Sequence, residues 1–225
     1  MSVPAQTLPA GADRRSLTPQ LGLVVVKLGG SVVRSPELHA WLDVIAASPR
    51  PIIVVPGGGA LADEVRVAQV KLGFGDGAAH RMALLAMDQF ASAVAGLRAS
   101  FEVGDSEDGL RRTLAEGRVG VWAPYSLVAN RSDIPQSWTV TSDTLALWLA
   151  RRLGAECCYV IKSIERRRGE FSAEQLAREC VVDEAFPAML KDVGFPVFLL
   201  GRGDQAALAA SLLPSGEACC GAVID

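Results

Sequence analysis

The chain reads as an α/β protein: a three-layer α/β/α sandwich around an open, mainly parallel sheet. Its strand-like runs ("VVVKL", "IIVVP", "CCYVI", "VFLL") are apolar throughout, without the in–out alternation of a sheet that keeps one face wet. They alternate with segments of helical periodicity, the arrangement of parallel strands joined by crossover helices. Glycine clusters and helix-start residues fall directly after the runs, where open α/β sheets bind ligands.

In chain order, residues 23–28 form the first strand, and a helix follows that Ser35 caps, with Pro36 in its first turn. Residues 51–59 give a second strand closed by a proline and three glycines. The helix after it places Leu61, Val65, Ala68 and Leu72 near one face. A longer helix, "AAHRMALLAMDQFASAVAGLRA", has Met82, Met87 and Phe90 as core positions. Weaker strands are expected at "SFEV" and "VGVWAP". Thr141, Ser142 and Asp143 suit the start of a helix that Gly154 closes. Then come a strand at 157–163, a helix from Ser172, a short strand at Cys180–Val182, a helix from Asp183 and a strand at 196–200. The helical "GRGDQAALAASLL" and a strand in "CCGAVI" end the chain.

At 225 residues, half of them hydrophobic, the chain fits one large domain or two closely packed lobes. Residues 1–20, rich in Pro, Gly and Ala, read as a flexible tail without a signal-peptide core. A net charge of −3 offers no long basic face, which argues against a nucleic-acid partner; "ERRRGE" at 165–170 is locally basic and suits a solvated loop. No apolar run is long enough to span a membrane, so a soluble protein is expected. Cys157, Cys158, Cys219 and Cys220 form adjacent pairs rather than the C-x-x-C spacing of zinc sites, so no metal ligands are assigned. They read as buried thiols, pointing to the reducing cytoplasm.

Four places carry the chemistry: Lys27 to Ser31 after the first strand, Gly57-Gly58-Gly59 after the second, Thr141-Ser142-Asp143 at a helix start, and Lys162 at a strand end. Glycines let backbone N–H groups face an anion, helix N-termini favour negative charge, and lysine adds a mobile cation. The combination suggests phosphate. It is neither a Walker A loop nor a dinucleotide fingerprint, since both spacings are absent.

"VVKLGGS", "IVVPGGG", "TSDTLALWLARRLGA" and the terminal "GRGDQAALAASLL…GAVI" resemble the amino acid kinase superfamily, in order, over residues 23–225. "PGGGALADEVR", "AHRMALLAMDQ" and "SWTVTSD" are most similar to its branch of aminomethylfuran phosphate kinases of methanofuran biosynthesis and their relatives in methylotrophic bacteria. The resemblance implies an ATP-dependent, Mg²⁺-assisted kinase acting on a phosphate or carboxylate of a small molecule. It implies an acceptor lobe at about 21–155, a nucleotide lobe at about 156–225, and a homo-oligomer.

Carried over to this sequence, the resemblance puts Lys27 against the transferring phosphoryl group, with Gly29 and Gly30 beside the same oxygens and Ser31 capping the following helix or touching phosphate. Asp143 orients the lysines, and Lys162 and Gly201 belong to the nucleotide side. Gly57, Gly58 and Gly59 hold the acceptor, with Thr141 and Ser142 at the same end. On the next helix Asp63 suits an amine and Arg66 a phosphate, or the two form a surface ion pair. His80 is either an acceptor contact or a structural histidine, and Trp138 stacks on a furan ring or belongs to the core. The pattern breaks after Lys162, where "SIERRRGEF" lacks the Asp and Gly of the family's nucleotide segment, and a later lysine is missing. Arg166, Arg167 or Arg168 are candidates to supply that charge. The competing reading is a non-catalytic nucleotide- or phosphate-binding protein with a regulatory or storage role.

Overall fold

The computed structural model describes residues 21–214 and 221–225. The expected tail at 1–20 and Cys219 and Cys220 lie outside the described residues. The elements in chain order are β1 (Val24–Leu28), α1 (Leu38–Ala46), β2 (Ile52–Pro56), α2 (Gly59–Leu72), α3 (Asp76–Gly96), β3 (Phe101–Gly104), α4 (Glu107–Ala115) and β4 (Val119–Trp122). Next are α5 (Tyr125–Val128), α6 (Ser142–Leu153), β5 (Cys157–Ile161), β6 (Glu170–Phe171) and α7 (Ala173–Arg178). Finally come α8 (Phe186–Lys191), β7 (Val197–Leu200), α9 (Gln205–Ser211) and β8 (Ala222–Ile224).

The strands form one eight-stranded sheet in the order β3-β4-β2-β1-β5-β7-β8-β6. All pairs are parallel except β7 with β8. The central strands β1, β2 and β5 are buried along their whole length, which is why they carry no polar alternation. Successive side chains point to opposite faces and build two cores. Val24, Val26 and Leu28 join α1 and α9 on one side; Val25 joins α6 and α8 on the other. Cys157 and Cys158, both buried, divide the same way. Order reverses at β1, since β2 lies on one flank and β5 on the other, and the crevice there is the ligand position of open α/β sheets. Among the described residues, no helix is long and apolar enough to cross a membrane.

Several local expectations are corrected. The first helix begins at Leu38: a 3-10 turn at Val32–Arg34 comes first, and the Ser35 hydroxyl accepts the Glu37 N–H at 3.1 Å in a separate turn. The spacing of Leu61, Val65, Ala68 and Leu72 marks a helix but no inner face, because Val65 is buried while Leu72 is 77% exposed. Met82 is likewise exposed, whereas Met87 is buried. Residues 180–182 form a turn instead of a strand, with Cys180 at φ 56° and exposed. The helix expected from Asp183 starts at Phe186, because Asp183 is engaged elsewhere. Helix α4, whose Ser106 hydroxyl accepts the Gly109 N–H, was not anticipated from its polar composition.

Candidate active site

Lys27 lies in β1 on the same face as Val25, the α6 side of the sheet. Lys162 immediately follows β5, two residues beyond Val160, and so projects to that side too. Asp143, in the first turn of α6, stands between them. Lys27 Nζ is 2.6 Å from Oδ1 of Asp143 and Lys162 Nζ is 2.7 Å from Oδ2. The carboxylate therefore serves the lysines and not its own helix end. Burial pulls the Lys27 pKa down to about 8, against the attraction of Asp143 and reinforced by repulsion from Lys162. Burial alone would raise the Asp143 pKa, but the two lysines outweigh it and hold the carboxyl at about 2.

The helix end is capped from a distance. Asp183, 42 positions on from Thr141, accepts the Thr141 N–H and hydroxyl, both at 2.8 Å, and the Thr144 N–H at 3.0 Å. The Thr144 hydroxyl donates to its other oxygen. One carboxylate thus satisfies two orphan amides of α6 and places negative charge at the positive end of the helix. Burial, with the nearby Asp143 charge, raises the Asp183 pKa above the ordinary carboxylate range despite these donors. Sequence reasoning passed over Asp183, because no spacing ties it to residues 141–144; its one signal is an acid directly after the buried pair Val181-Val182.

The two glycine loops lean on each other. Gly57 N–H donates to Leu28 O at 2.8 Å and Gly29 N–H to Ile161 O at 2.9 Å, continuing the sheet into both loops. A Cβ on Gly30 would fall 2.5 Å from the Gly59 backbone, and one on Gly57 would fall 2.6 Å from Gly30 N. Gly59 also has φ 47°, a conformation that side chains resist. These are positions where only glycine lets two backbones meet beside Lys27.

A cavity of about 360 Å³ opens beside these groups. Of the residues singled out in the sequence for the site, all line it except Gly29, Gly201 and the candidate arginines Arg166, Arg167 and Arg168. At its outer end, Arg66 lies 3.8 Å over the Trp138 ring, whose indole N–H donates to Gln69 at 2.6 Å. Trp138 therefore braces an arginine, a role that the sequence did not suggest. Asp63 and Arg66 line the cavity without forming an ion pair with each other or with any other described residue. His80 is 5% exposed, and its Nε2 has no hydrogen-bond partner among the described residues. Burial, followed by repulsion from Arg81, lowers its pKa and keeps it neutral at pH 7.

On the other flank, residues 163–169 form the exposed loop that their charge suggested, but its arginines are held by acids. Arg167 pairs with Glu179 at 2.7 Å, while Arg166 and Arg168 both reach Asp204. Gly201 lies under this segment: a Cβ there would come within 2.9 Å of the carbonyl oxygens of Ile164 and Glu165. No group of three or more His, Cys, Asp or Glu side chains able to hold a metal occurs among the described residues.

The fold recurs in known proteins. The [5-(aminomethyl)furan-3-yl]methyl phosphate kinase of Methanocaldococcus jannaschii is 24% identical over 178 residues, covering 74% of this chain and 82% of that protein. The uridylate kinase of Archaeoglobus fulgidus superposes with a TM-score of 0.68 at 19% identity, over 90% of this chain and 99% of that one. The UMP kinase of Bacillus anthracis gives 0.63 at 15% identity, over 91% and 96%. Residues 22–166, well over half of the sequence, match the profile of the amino acid kinase family; the chain belongs to that family and is a phosphotransferase.

Proposed function

We propose that this kinase moves the terminal phosphoryl group of ATP onto the phosphate of a small acceptor that also bears an amine, the class that includes aminomethylfuran phosphate. The observation that carries the phosphoryl-transfer reading is the single carboxylate held between Lys27 and Lys162 at the switch point of the sheet. Two lysines on one aspartate leave a positive charge uncompensated, and the glycine loops bring backbone close to the same place. An acceptor phosphate is already anionic, so no strong base is needed. Its oxygen attacks the γ-phosphorus, the bond to the β-phosphate oxygen breaks, and ADP leaves with the electron pair. The barrier lies in bringing two anions together, which fixed cations lower.

The acceptor class is supported by the outer end of the cavity. Arg66, held flat by Trp138, suits a phosphate, and Asp63 suits an ammonium. His80, its pKa lowered by burial, lines the same cavity. Residues 21–155 then form the acceptor lobe and 156–225 the nucleotide lobe. Both Asp143 oxygens are committed to lysines, so Mg²⁺ would be held by nucleotide phosphates and water and would neutralise phosphate charge. Exposed apolar side chains on α2 and α3, including Val70 at 87% and Leu85 at 43%, support self-association into a homo-oligomer. The buried thiol of Cys158 suits a cytoplasmic protein.

The test is ADP release with ATP, Mg²⁺ and a panel of phosphorylated amines, phosphorylated alcohols and carboxylates. Turnover with phosphorylated amines above the others is expected. Nucleotide binding without transfer to any acceptor would favour a non-catalytic binding protein.

A further inference from the structure

Asp204 is completely buried, and its two oxygens have different tasks. Oδ2 accepts the Gly201 N–H at 2.9 Å; Oδ1 meets Arg166 Nε at 2.5 Å and an Arg168 terminal nitrogen at 3.1 Å. One guanidinium is enough to neutralise one carboxylate, so the second is surplus. The Arg166 and Arg168 side chains remain 49% and 43% exposed, turned partly to solvent while their anchor is dry. Arg166 forms no ion pair with any other described residue.

The same arrangement stands one strand away. Lys27 and Lys162 share Asp143, again two cations on one buried carboxylate. The two clusters are neighbours, because Lys162 N–H donates to Leu200 O at 3.0 Å and Leu200 precedes Gly201 in the chain. Along the carboxyl edge of the sheet the order is therefore the Gly57–Gly59 loop, Lys27, Lys162, and then the arginine pair. The other arginines nearby are spoken for: Arg167 by Glu179, and Arg202 by Glu165 at 3.5 Å. A row of two clusters, each with one uncompensated charge, matches an extended polyanion better than a single phosphate.

We propose that Arg166 and Arg168, splayed on Asp204, form a binding site for the polyphosphate of the donor nucleotide. They take the phosphates on the nucleoside side, while Lys27 and Lys162 take the group that is transferred. This rests on the reading of the chain as a nucleoside-triphosphate-dependent kinase. It gives Gly201 a purpose as well: a side chain there would push the 164–166 backbone away and carry Arg166 with it.

The experiment is calorimetric titration of a non-hydrolysable ATP analogue with Mg²⁺ into wild type, Arg166→Gln, Arg168→Gln and Arg167→Gln. Each single variant at the pair leaves one guanidinium on Asp204, so the loop keeps its anchor, and thermal unfolding checks that the fold holds. Arg166→Gln and Arg168→Gln are expected to weaken binding about tenfold each, the loss of a charge-assisted hydrogen bond, and to flatten its salt dependence. Arg167→Gln is expected to bind like wild type. Wild-type affinity in all three variants would reduce the arginine pair to a structural staple and overturn this proposal while leaving the kinase reading intact. Failure of wild type itself to bind the analogue would overturn both.

Discussion

The Lys27 ammonium stands 2.6 Å from Oδ1 of Asp143, and neither side chain is more than 5% exposed. A buried lysine that has lost its hydration holds its proton weakly, and here the pKa falls to about 8. Lys27 is charged at neutral pH and loses its charge in the alkaline range. Activity against free enzyme should therefore fall above about pH 8, as an alkaline limb in kcat/KM. Lys27→Arg should abolish that limb even where it lowers the rate. The stability effect has the opposite direction. The folded pKa lies below the unfolded 10.5, so the unfolded chain holds more protons between about pH 8 and 10.5, and this group makes the fold more stable as pH rises through that window. Denaturant titrations at pH 8 and 10 in wild type and Lys27→Ala would isolate the contribution.

Asp143→Asn removes the carboxylate that pairs with the buried Lys27 and the partly buried Lys162. At pH 7 the cost should be about 3 kcal/mol, the penalty of stranding a buried charge. It should shrink near pH 9.5, where Lys27 is already neutral. Phosphoryl transfer should fall by about 100-fold or more through loss of lysine alignment. In wild type the carboxyl pKa of about 2 lies below the unfolded 3.8, so the stabilisation from Asp143 is complete above 3.8 and lost as pH falls toward 2. Urea melts across pH 2–10 report all of these.

Asp183→Ala leaves the Thr141 and Thr144 amides of α6 without their acceptor and should cost about 2 kcal/mol, a full helix cap. Because α6 carries Asp143, kcat should fall more than either KM rises. Asp183→Asn, which retains one carbonyl acceptor, should recover part of both. A variant that loses stability but keeps kcat would make Asp183 a cap and nothing more.

Arg66→Ala should raise the acceptor KM by about 10- to 100-fold while leaving the nucleotide KM unchanged. Trp138→Phe keeps an aromatic face under Arg66 but loses the Gln69 bond, and should show a smaller effect in the same direction. Equal changes in both KM values would remove Arg66 from the acceptor end.

How much of this was visible in the sequence follows from the range of the interactions. β1 and β5 declare themselves because full burial excludes polar residues, and their strand-end lysines stand out against that background. The glycines of both loops were legible as a pattern, though the contact of Gly30 with Gly59 was not, since it joins two strands. Asp183 and Asp204 were missed for the same reason: each acts on residues 36 or more positions away, through hydrogen bonds that leave no periodicity. Leu61 and Leu72 of α2 have helical spacing yet stay exposed, because periodicity reveals a helix but not which face is covered. The segment at 163–170 looked degraded beside the family pattern, but its arginines are organised by an acid that lies after β7.

The most direct test of the central claim is single-turnover transfer from γ-labelled ATP in wild type and Lys27→Ala, with nucleotide binding and thermal unfolding measured alongside. In the variant Asp143 still pairs with Lys162, so the fold should persist. Loss of transfer by about 1,000-fold or more, with a folded protein that still binds nucleotide, is the predicted result. Transfer at the wild-type rate would contradict the assignment of Lys27 to the reacting phosphoryl group.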